Sequence, residues 1–416
     1  MILLHNRGVP LEGKKNIAFD RTLERHKPRE YALVPLFTYG THQLIPNMGI
    51  GENVTRFAPL AVSPSGKHAM IAPVPGVLLG VEEKQHPFFG RVNCARISVN
   101  YRLPAAELYP SDWLRIKPHD IINIAKGAGI VDEYDGIPLY RKLKAYAQSR
   151  VDRLAGNAID DDPFVSSGVK VLAEFGSECA SGLELCMRAV GAEQGTIYYY
   201  DLGGREIRRI KPRYGVIRCE AVIGNYPLWP ALERKLAGKS GFGKIGVQAL
   251  YALYGAVTYG LPQTESVITV AGDGIANAGN YLVTSGTTVG DLLTHVGLIT
   301  EPEYIILNSA MNGTLCLDYD TALIHGMRAL ICLKRRAVVA EKSGCIGCGR
   351  CVSECPAGVL PYYAVKLAEK GDLTDAKRFG THKCIGCGVC SAVCPAGREM
   401  TESIARINAN INLIEP

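Results

Sequence analysis

Apolar residues along this chain recur in different rhythms. Between residues 31 and 100 they come in short runs cut by Gly, Pro and Asn, at 31–37, 60–62, 68–74 and 77–81. Runs of that length with turn residues between them predict an all-β module. Residues 110–265 mix two periods. Positions 172–190 read as a helix, 195–200 (GTIYYY) as a buried strand, and 216–222 as another strand. Positions 228–236 and 246–259 then read as helices, and alternation of this kind argues α/β. Over 266–300 the pattern returns to β with glycine turns and ends in a short helix at 289–295. Farther on, Leu360, Tyr363, Ala364 and Leu367 recur at helical spacing, and Gly371-Asp372 marks a break before 373–379. A helix pair is expected there. Together these rhythms predict an α+β multidomain protein.

One stretch, 245–261, is apolar enough to raise the question of a membrane span. It is short, holds Gln248 and Thr258, and is interrupted by Gly246, Gly255 and Gly260, whereas a span needs about 20 apolar residues. A buried core helix is the expectation. The opening Met1-Ile2-Leu3-Leu4-His5-Asn6-Arg7 lacks an extended apolar region and a small-residue cleavage site, so a secretory signal is not expected. A cytoplasmic chain, at most peripheral to a membrane, is the resulting expectation.

Length and composition add limits. The chain has 416 residues, room for roughly two to four domains of about 100–200 residues each. With 47% hydrophobic residues it can build several cores. Its 46 basic and 40 acidic residues are mixed along the sequence, for a net charge of +6. That mild excess forms no concentrated basic stripe, and a nucleic-acid partner is not expected.

Cysteine changes the picture most. Of 14 cysteines, eight fall in two tight groups. Disulfide frameworks belong to small secreted domains, so clustered thiols here point to metal. The first group is Cys345-Ile-Gly-Cys348-Gly-Arg-Cys351-Val-Ser-Glu-Cys355-Pro356, and the second is Cys384-Ile-Gly-Cys387-Gly-Val-Cys390-Ser-Ala-Val-Cys394-Pro395. Both spell C-x2-C-x2-C-x3-C-P, the run of bacterial two-cluster ferredoxins. Three thiolates two residues apart can wrap one face of a cube of iron and sulfide. The fourth, after a longer step and before proline, turns toward the other cube. Cluster one is expected to take Cys345, Cys348, Cys351 and Cys394, and cluster two Cys384, Cys387, Cys390 and Cys355. Gly347, Gly349, Gly386 and Gly388 let the backbone fold close and aim N–H groups at sulfur. Two zinc sites are the alternative, since C-x2-C pairs also bind zinc, but zinc has no use for the repeated fourth Cys-Pro. The other six, Cys94, Cys179, Cys186, Cys219, Cys316 and Cys332, are scattered and read as buried small hydrophobes.

The order of these parts resembles the RnfC family, a component of the Rnf ferredoxin:NAD oxidoreductase, and its relative PduS, a cobalamin reductase. The resemblance covers nearly the whole chain. Residues 35–81 look like the family's barrel-sandwich module, with Gly51-Glu52-Asn53-Val54 at its Gly-Asp-x-Val turn. Residues 267–293 are similar to its soluble-ligand-binding β-grasp (SLBB) segment, including Thr269-Val270-Ala271-Gly272, Gly279-Asn280 and Gly286-Thr287-Thr288-Val289. The resemblance implies an N-terminal extension (1–30), a barrel-sandwich β module (31–104) and a Rossmann-like α/β domain (105–265), akin to the FMN- and NADH-binding subunit of respiratory complex I. An SLBB segment (266–300), a connector (301–335) and a two-cluster ferredoxin-like domain (336–416) follow.

The family's flavin loop, Gly-Leu-Gly-Gly-Ala-Gly-Phe-Pro-Thr followed by Lys, cradles the FMN phosphate. Here Ala128-Gly129-Ile130-Val131 leads into Asp132-Glu133-Tyr134-Asp135-Gly136-Ile137-Pro138-Leu139, then Arg141-Lys142. Glycines that permit close backbone approach are gone, and carboxylates stand where a dianion would sit, where like charges repel. A second flavin-side motif survives in form as Asn157-Ala158-Ile159-Asp160-Asp161-Asp162-Pro163-Phe164, which is equally an acidic surface turn. Lys142, Asn157 and Asp160 are the candidates for what remains of an FMN site.

Three functions compete. The preferred one is a flavin-free relay, taking electrons from a ferredoxin or flavoprotein and passing them one at a time to a larger oxidoreductase. The second is an NAD(P)H- and FMN-dependent oxidoreductase subunit, since a flavin converts between two-electron and one-electron chemistry. The third is an adaptor that binds a ligand such as a corrinoid and uses its clusters structurally. Bound FMN separates the first two, and reducible clusters exclude the third.

Overall fold

The computed structural model describes residues 1–4, 6–38, 44–236, 241–334 and 343–414. Its centre is a parallel sheet whose strands run, edge to edge, Ile2–Leu3, Ile217–Ile223, Gln194–Tyr200, Arg153–Ala158 and Phe242–Gly246, with Arg213–Tyr214 antiparallel on Ile217–Ile223. Helices Pro118–Gly127, Leu139–Gln148, Gly176–Val190 and Val247–Tyr259 pack with it into one core that holds Ile121, Leu143, Leu183, Ile197 and Leu250. A parallel strand covered on both faces has no solvent side, which is why Arg153–Ala158 is buried at every position after the first. The helix expected over 172–190 is two, Ser167–Glu174 and Gly176–Val190. They part at Phe175, which leaves helical geometry (φ −125°, ψ 36°) and stacks its ring on Tyr251 at 4.5 Å.

The apolar stretch 245–261 folds as the end of a strand and the helix Val247–Tyr259, with Val247, Leu250, Leu253 and Val257 fully buried in that core. Among the described residues no helix is long and apolar enough to cross a membrane.

A second, six-stranded sheet runs Thr314–Leu315, Tyr304–Leu307, Ala329–Leu333, Glu265–Ala271, Gly279–Thr284 and Glu24–His26. Two expectations change here. Residues 301–335 are not a connector, because they supply strands to this sheet through its central pairing of Thr269 with Ala329. Residues 1–30 are not a simple extension, since Ile2–Leu3 joins the parallel sheet and Glu24–His26 the second one. The boundary expected at 335/336 lies outside the described residues.

Residues 31–99 form a β module of two sheets, a four-stranded one around the hairpin Gly76–His86 and Gly90–Val99, and a three-stranded one of Ile45–Pro46, Pro59–Val62 and Ala69–Ile71. Leu36, Leu60, Leu78 and Ile97 fill the space between them. The last lobe is helical: Arg350–Ser353, Pro361–Glu369, Leu373–Arg378, Val389–Ala392 and Met400–Ile414. Its small core of Val359, Val365, Ala376, Met400, Ile404 and Ile407 carries the cysteines on its flank.

Candidate metal centres and the carboxyl edge of the sheet

The two cysteine runs fold alike. In each, Gly347 (φ 71°) or Gly386 (φ 66°) takes a left-handed conformation, which turns its N–H back onto the first thiol, Gly347 onto Cys345 and Gly386 onto Cys384, both at 3.4 Å. A single helical turn then presents the third cysteine, Arg350–Ser353 after Gly349 and Val389–Ala392 after Gly388. Val359 N donates to the Cys355 thiol at 3.3 Å. Such donors stabilise negative charge on sulfur.

The thiols gather in two sets. Burial pushes the Cys351 thiol up, and after it the neighbouring Cys348, Cys345 and Cys394 do so too, against a backbone hydrogen bond at Tyr362. Burial raises Cys387 to about 11, with Cys390, Cys355 and Cys384 adding to the effect. Each set therefore includes the fourth cysteine of the other run. Cys355, Cys384, Cys387 and Cys390 line one small pocket walled by Pro356, Val359 and Ile404. Soft thiolates gathered in this spacing fit iron–sulfur clusters. The sets differ in exposure, with Cys345 and Cys348 exposed and Cys355 and Cys390 buried.

The buried set faces the rest of the molecule. The Tyr226 hydroxyl, just past strand Ile217–Ile223, donates to the Cys387 carbonyl at 2.9 Å, and Arg234 donates to the Pro356 carbonyl at 3.3 Å. Gly388 lies so close to Met311 that an added Cβ would sit 2.2 Å from its carbonyl oxygen. The six scattered cysteines are all buried, as their spread suggested.

The second candidate site lies at the carboxyl edge of the parallel sheet. Lys142 is 4% exposed at its side chain and bridges Asp132 at 2.6 Å and Asp135 at 2.7 Å. Gly246 N donates to Asp132 at 2.8 Å, while Gln248 N and Ala249 N donate to Glu133 at 2.9 and 3.2 Å. These carboxylates thus occupy the amino end of helix Val247–Tyr259, where an anion is favoured. Burial raises the Glu133 pKa and the Asp132 charge adds to this, while the backbone donors pull it down. Asn157 accepts from Ile159 N at 3.0 Å. Asp160 is fully buried, accepting from Val169 N at 2.9 Å and the Tyr134 hydroxyl at 3.3 Å, with Arg328 at 3.5 Å.

The structure brings Lys142, Asn157 and Asp160 to one edge and gives each an internal partner. Instead of repelling an incoming phosphate, the chain's carboxylates already hold the backbone donors in this loop. The residues present do not fit a flavin phosphate. Sequence reasoning missed Arg328, whose guanidinium lies 4.4 Å from the Tyr134 ring centroid and 3.5 Å from Asp162, and Lys15, whose ammonium donates to the Asp160 carbonyl. Burial lowers the Lys15 pKa to about 8, although Asp160, Asp161 and Asp162 pull it up. Neither residue belongs to a motif, and no local signal would have found them.

Comparison with known proteins fits this layout. The model of a 4Fe-4S dicluster domain matches residues 337–395, and that of the SLBB domain matches 267–316, beyond the 266–300 expected. The RnfC-type component of the proton-translocating ferredoxin:NAD(+) oxidoreductase complex of Clostridium ljungdahlii is 24% identical over 391 residues, 89% of this chain and 85% of that protein. The chain resembles the RnfC family over most of its length. The corresponding component of the ion-translocating oxidoreductase complex of Rhodobacter capsulatus is 27% identical to this RnfC-like chain over 63% of its length, and the match spans 54% of that longer protein. Among solved structures, an NAD+-reducing [NiFe]-hydrogenase in the H2-reduced state aligns with TM-score 0.45 and 15% identity, over 72% of this chain and 67% of that one. The cofactors of this RnfC-like chain are two [4Fe–4S] clusters.

Proposed function

We propose that this RnfC-like chain is a flavin-free relay that passes single electrons between a reduced carrier, a ferredoxin or flavoprotein, and a larger partner oxidoreductase. Cys345, Cys348, Cys351 and Cys394 hold one cluster, and Cys384, Cys387, Cys390 and Cys355 the other. The sorting of eight thiols into two crossed sets of four carries this reading. When bound, such clusters accept and release electrons one at a time. The chain's own part is to hold the thiolates, to point Gly347, Gly386 and Val359 N–H groups at sulfur, and to wall the second set from water with Val359 and Ile404. The exposed set, beside Ile346 at 68% exposure, is the face offered to a redox partner.

The finer architecture belongs to the same proposal: residues 31–104 as a barrel-sandwich module and 105–265 as a Rossmann-like domain, whose nucleotide crevice is refilled by Asp132, Glu133 and Lys142. The relatives' names, which make them components of ion-translocating complexes, favour a multisubunit partner at the cytoplasmic face of a membrane. Anoxically purified protein should contain about eight iron and eight sulfide per chain and no stoichiometric FMN. Dithionite should reduce both clusters, and NADH alone should leave them oxidised. Zinc in place of iron, or rapid reduction by NADH, would overturn the proposal.

A further inference from the structure

A cavity of about 360 Å³ opens away from the cysteines, where the β module, the helix Pro118–Gly127 with the loop after it, and the second sheet meet. Its inner wall is aromatic and apolar. The rings of Phe37 and Phe89 lie 4.4 Å apart, His86 stacks behind Phe89 at 4.5 Å, and Met70 and Ile71 complete the wall. The floor is backbone that already has partners: Val131 N donates to the Gln263 side chain at 2.8 Å, and Gly129 N to the Lys126 carbonyl at 3.2 Å. Such a floor suits an apolar ring better than a base needing several hydrogen bonds.

The mouth is cationic. Lys126, Arg141 and Lys144 surround Tyr140, 6.0, 5.9 and 5.7 Å from its ring centroid. His68 feels the charges of Lys126, Arg141 and Lys67 together. Among the described residues none of these four cations is paired with a carboxylate. Several like charges around a low-dielectric opening focus a field that draws in anions. One more group points the same way. The Thr38 hydroxyl lines the cavity, is buried, and has no hydrogen-bond partner among the described residues, a demand that a ligand's polar atom would satisfy.

We propose that this cavity binds a planar aromatic anion, with its ring against Phe37, Phe89 and Tyr140 and its acidic group at Lys67, Lys126 and Arg141. The volume and the few convergent polar groups are those of small-molecule sites, and offset aromatic contacts orient the ring. The site is independent of the relay.

The test is anoxic equilibrium dialysis of the full-length, cluster-loaded protein with 8-anilinonaphthalene-1-sulfonate and with its uncharged parent, N-phenyl-1-naphthylamine. The sulfonate should bind at one site per chain. The exposed double variant Lys126→Gln/Arg141→Gln should weaken it about tenfold, since each exposed charge contributes a few-fold, and should change binding of the neutral amine less than about twofold. Gly127→Trp, at a lining position with open space where a side chain would go, should abolish binding of both at unchanged iron content. The proposal is overturned by sulfonate binding that does not saturate at one per chain, or that survives either variant.

Discussion

The cysteine lobe and the carboxyl edge of the parallel sheet both gather reactive side chains, and they dispose of them in opposite ways. In the lobe the thiols have each other, a few backbone N–H groups and, for Cys390, the Thr401 hydroxyl at 3.3 Å. At the sheet edge every charge has found an internal partner: Lys142 on Asp132 and Asp135, Glu133 on the helix start, Asp160 on Tyr134 and Arg328. A buried charge left alone is costly, so a site must either bind a ligand or neutralise itself. The first place took the former course and the second the latter. Residue types alone do not reveal which; the bookkeeping of partners does.

The largest expected effect tests the open half of this contrast. Cys355→Ser and Cys394→Ser should each lose one whole cluster, dropping iron from about eight to about four per chain. Because the sets are crossed, the cluster lost in each variant lies at the other run, which the electron paramagnetic resonance of the two reduced variants should distinguish. Full iron in either variant would break the comparison.

The closed half is tested by Lys142→Met. It strands the Asp132 carboxylate, 1% exposed, without its cation, and should cost about 3–5 kcal/mol of stability, read as the denaturant midpoint. Adding Asp132→Asn should recover part of the loss. A cost below about 1 kcal/mol, the level of an exposed pair, would mean the edge is open after all.

A smaller effect comes from acid. His325, which is hydrogen-bonded to Gly129 at the entry to the acidic loop, is pushed by burial from 6.5 down to about 4, against the pull of that bond. Its neutral form is the one that folds. The stability it protects is complete above pH 6.5 and drains away as pH falls toward about 4. The full window is worth roughly 3 kcal/mol. His325→Gln should flatten this slope in unfolding curves; an unchanged slope would show that the loop does not depend on a neutral imidazole.

The smallest is Tyr226→Phe, which removes the bond to the Cys387 carbonyl. It should cost about 1 kcal/mol and speed proteolysis between body and lobe without changing iron content. Loss of iron would make Tyr226 part of the metal centre itself.

The cysteine runs were legible, because each spells its spacing over one short stretch of sequence. So were the strand expected at 195–200, which is buried only at Ile197 and Tyr198, and the helix Val247–Tyr259. Strands at Tyr304–Leu307 and Ala329–Leu333 were not. Each is a short apolar run whose meaning comes from pairing with the other and, for the latter, with Thr269 to Ala271. The acidic loop was legible as a poor phosphate cradle, but the pairing of Lys142 with Asp132 and Asp135 was not. That Glu133 caps a helix starting at Val247 was invisible, since the partners lie over a hundred residues apart in the chain. Arg328 sits in Gly326-Met327-Arg328-Ala329, a context that announces nothing.

The stitching of the early chain has a consequence for synthesis. Ile2 pairs with Val222, and Arg25 with Leu282, so segments made early on the ribosome gain their partners only after most of the polypeptide has emerged. Non-local pairing of this kind slows folding. The early strands must stay unpaired while the β module of 31–99, whose strands pair among themselves, condenses behind them.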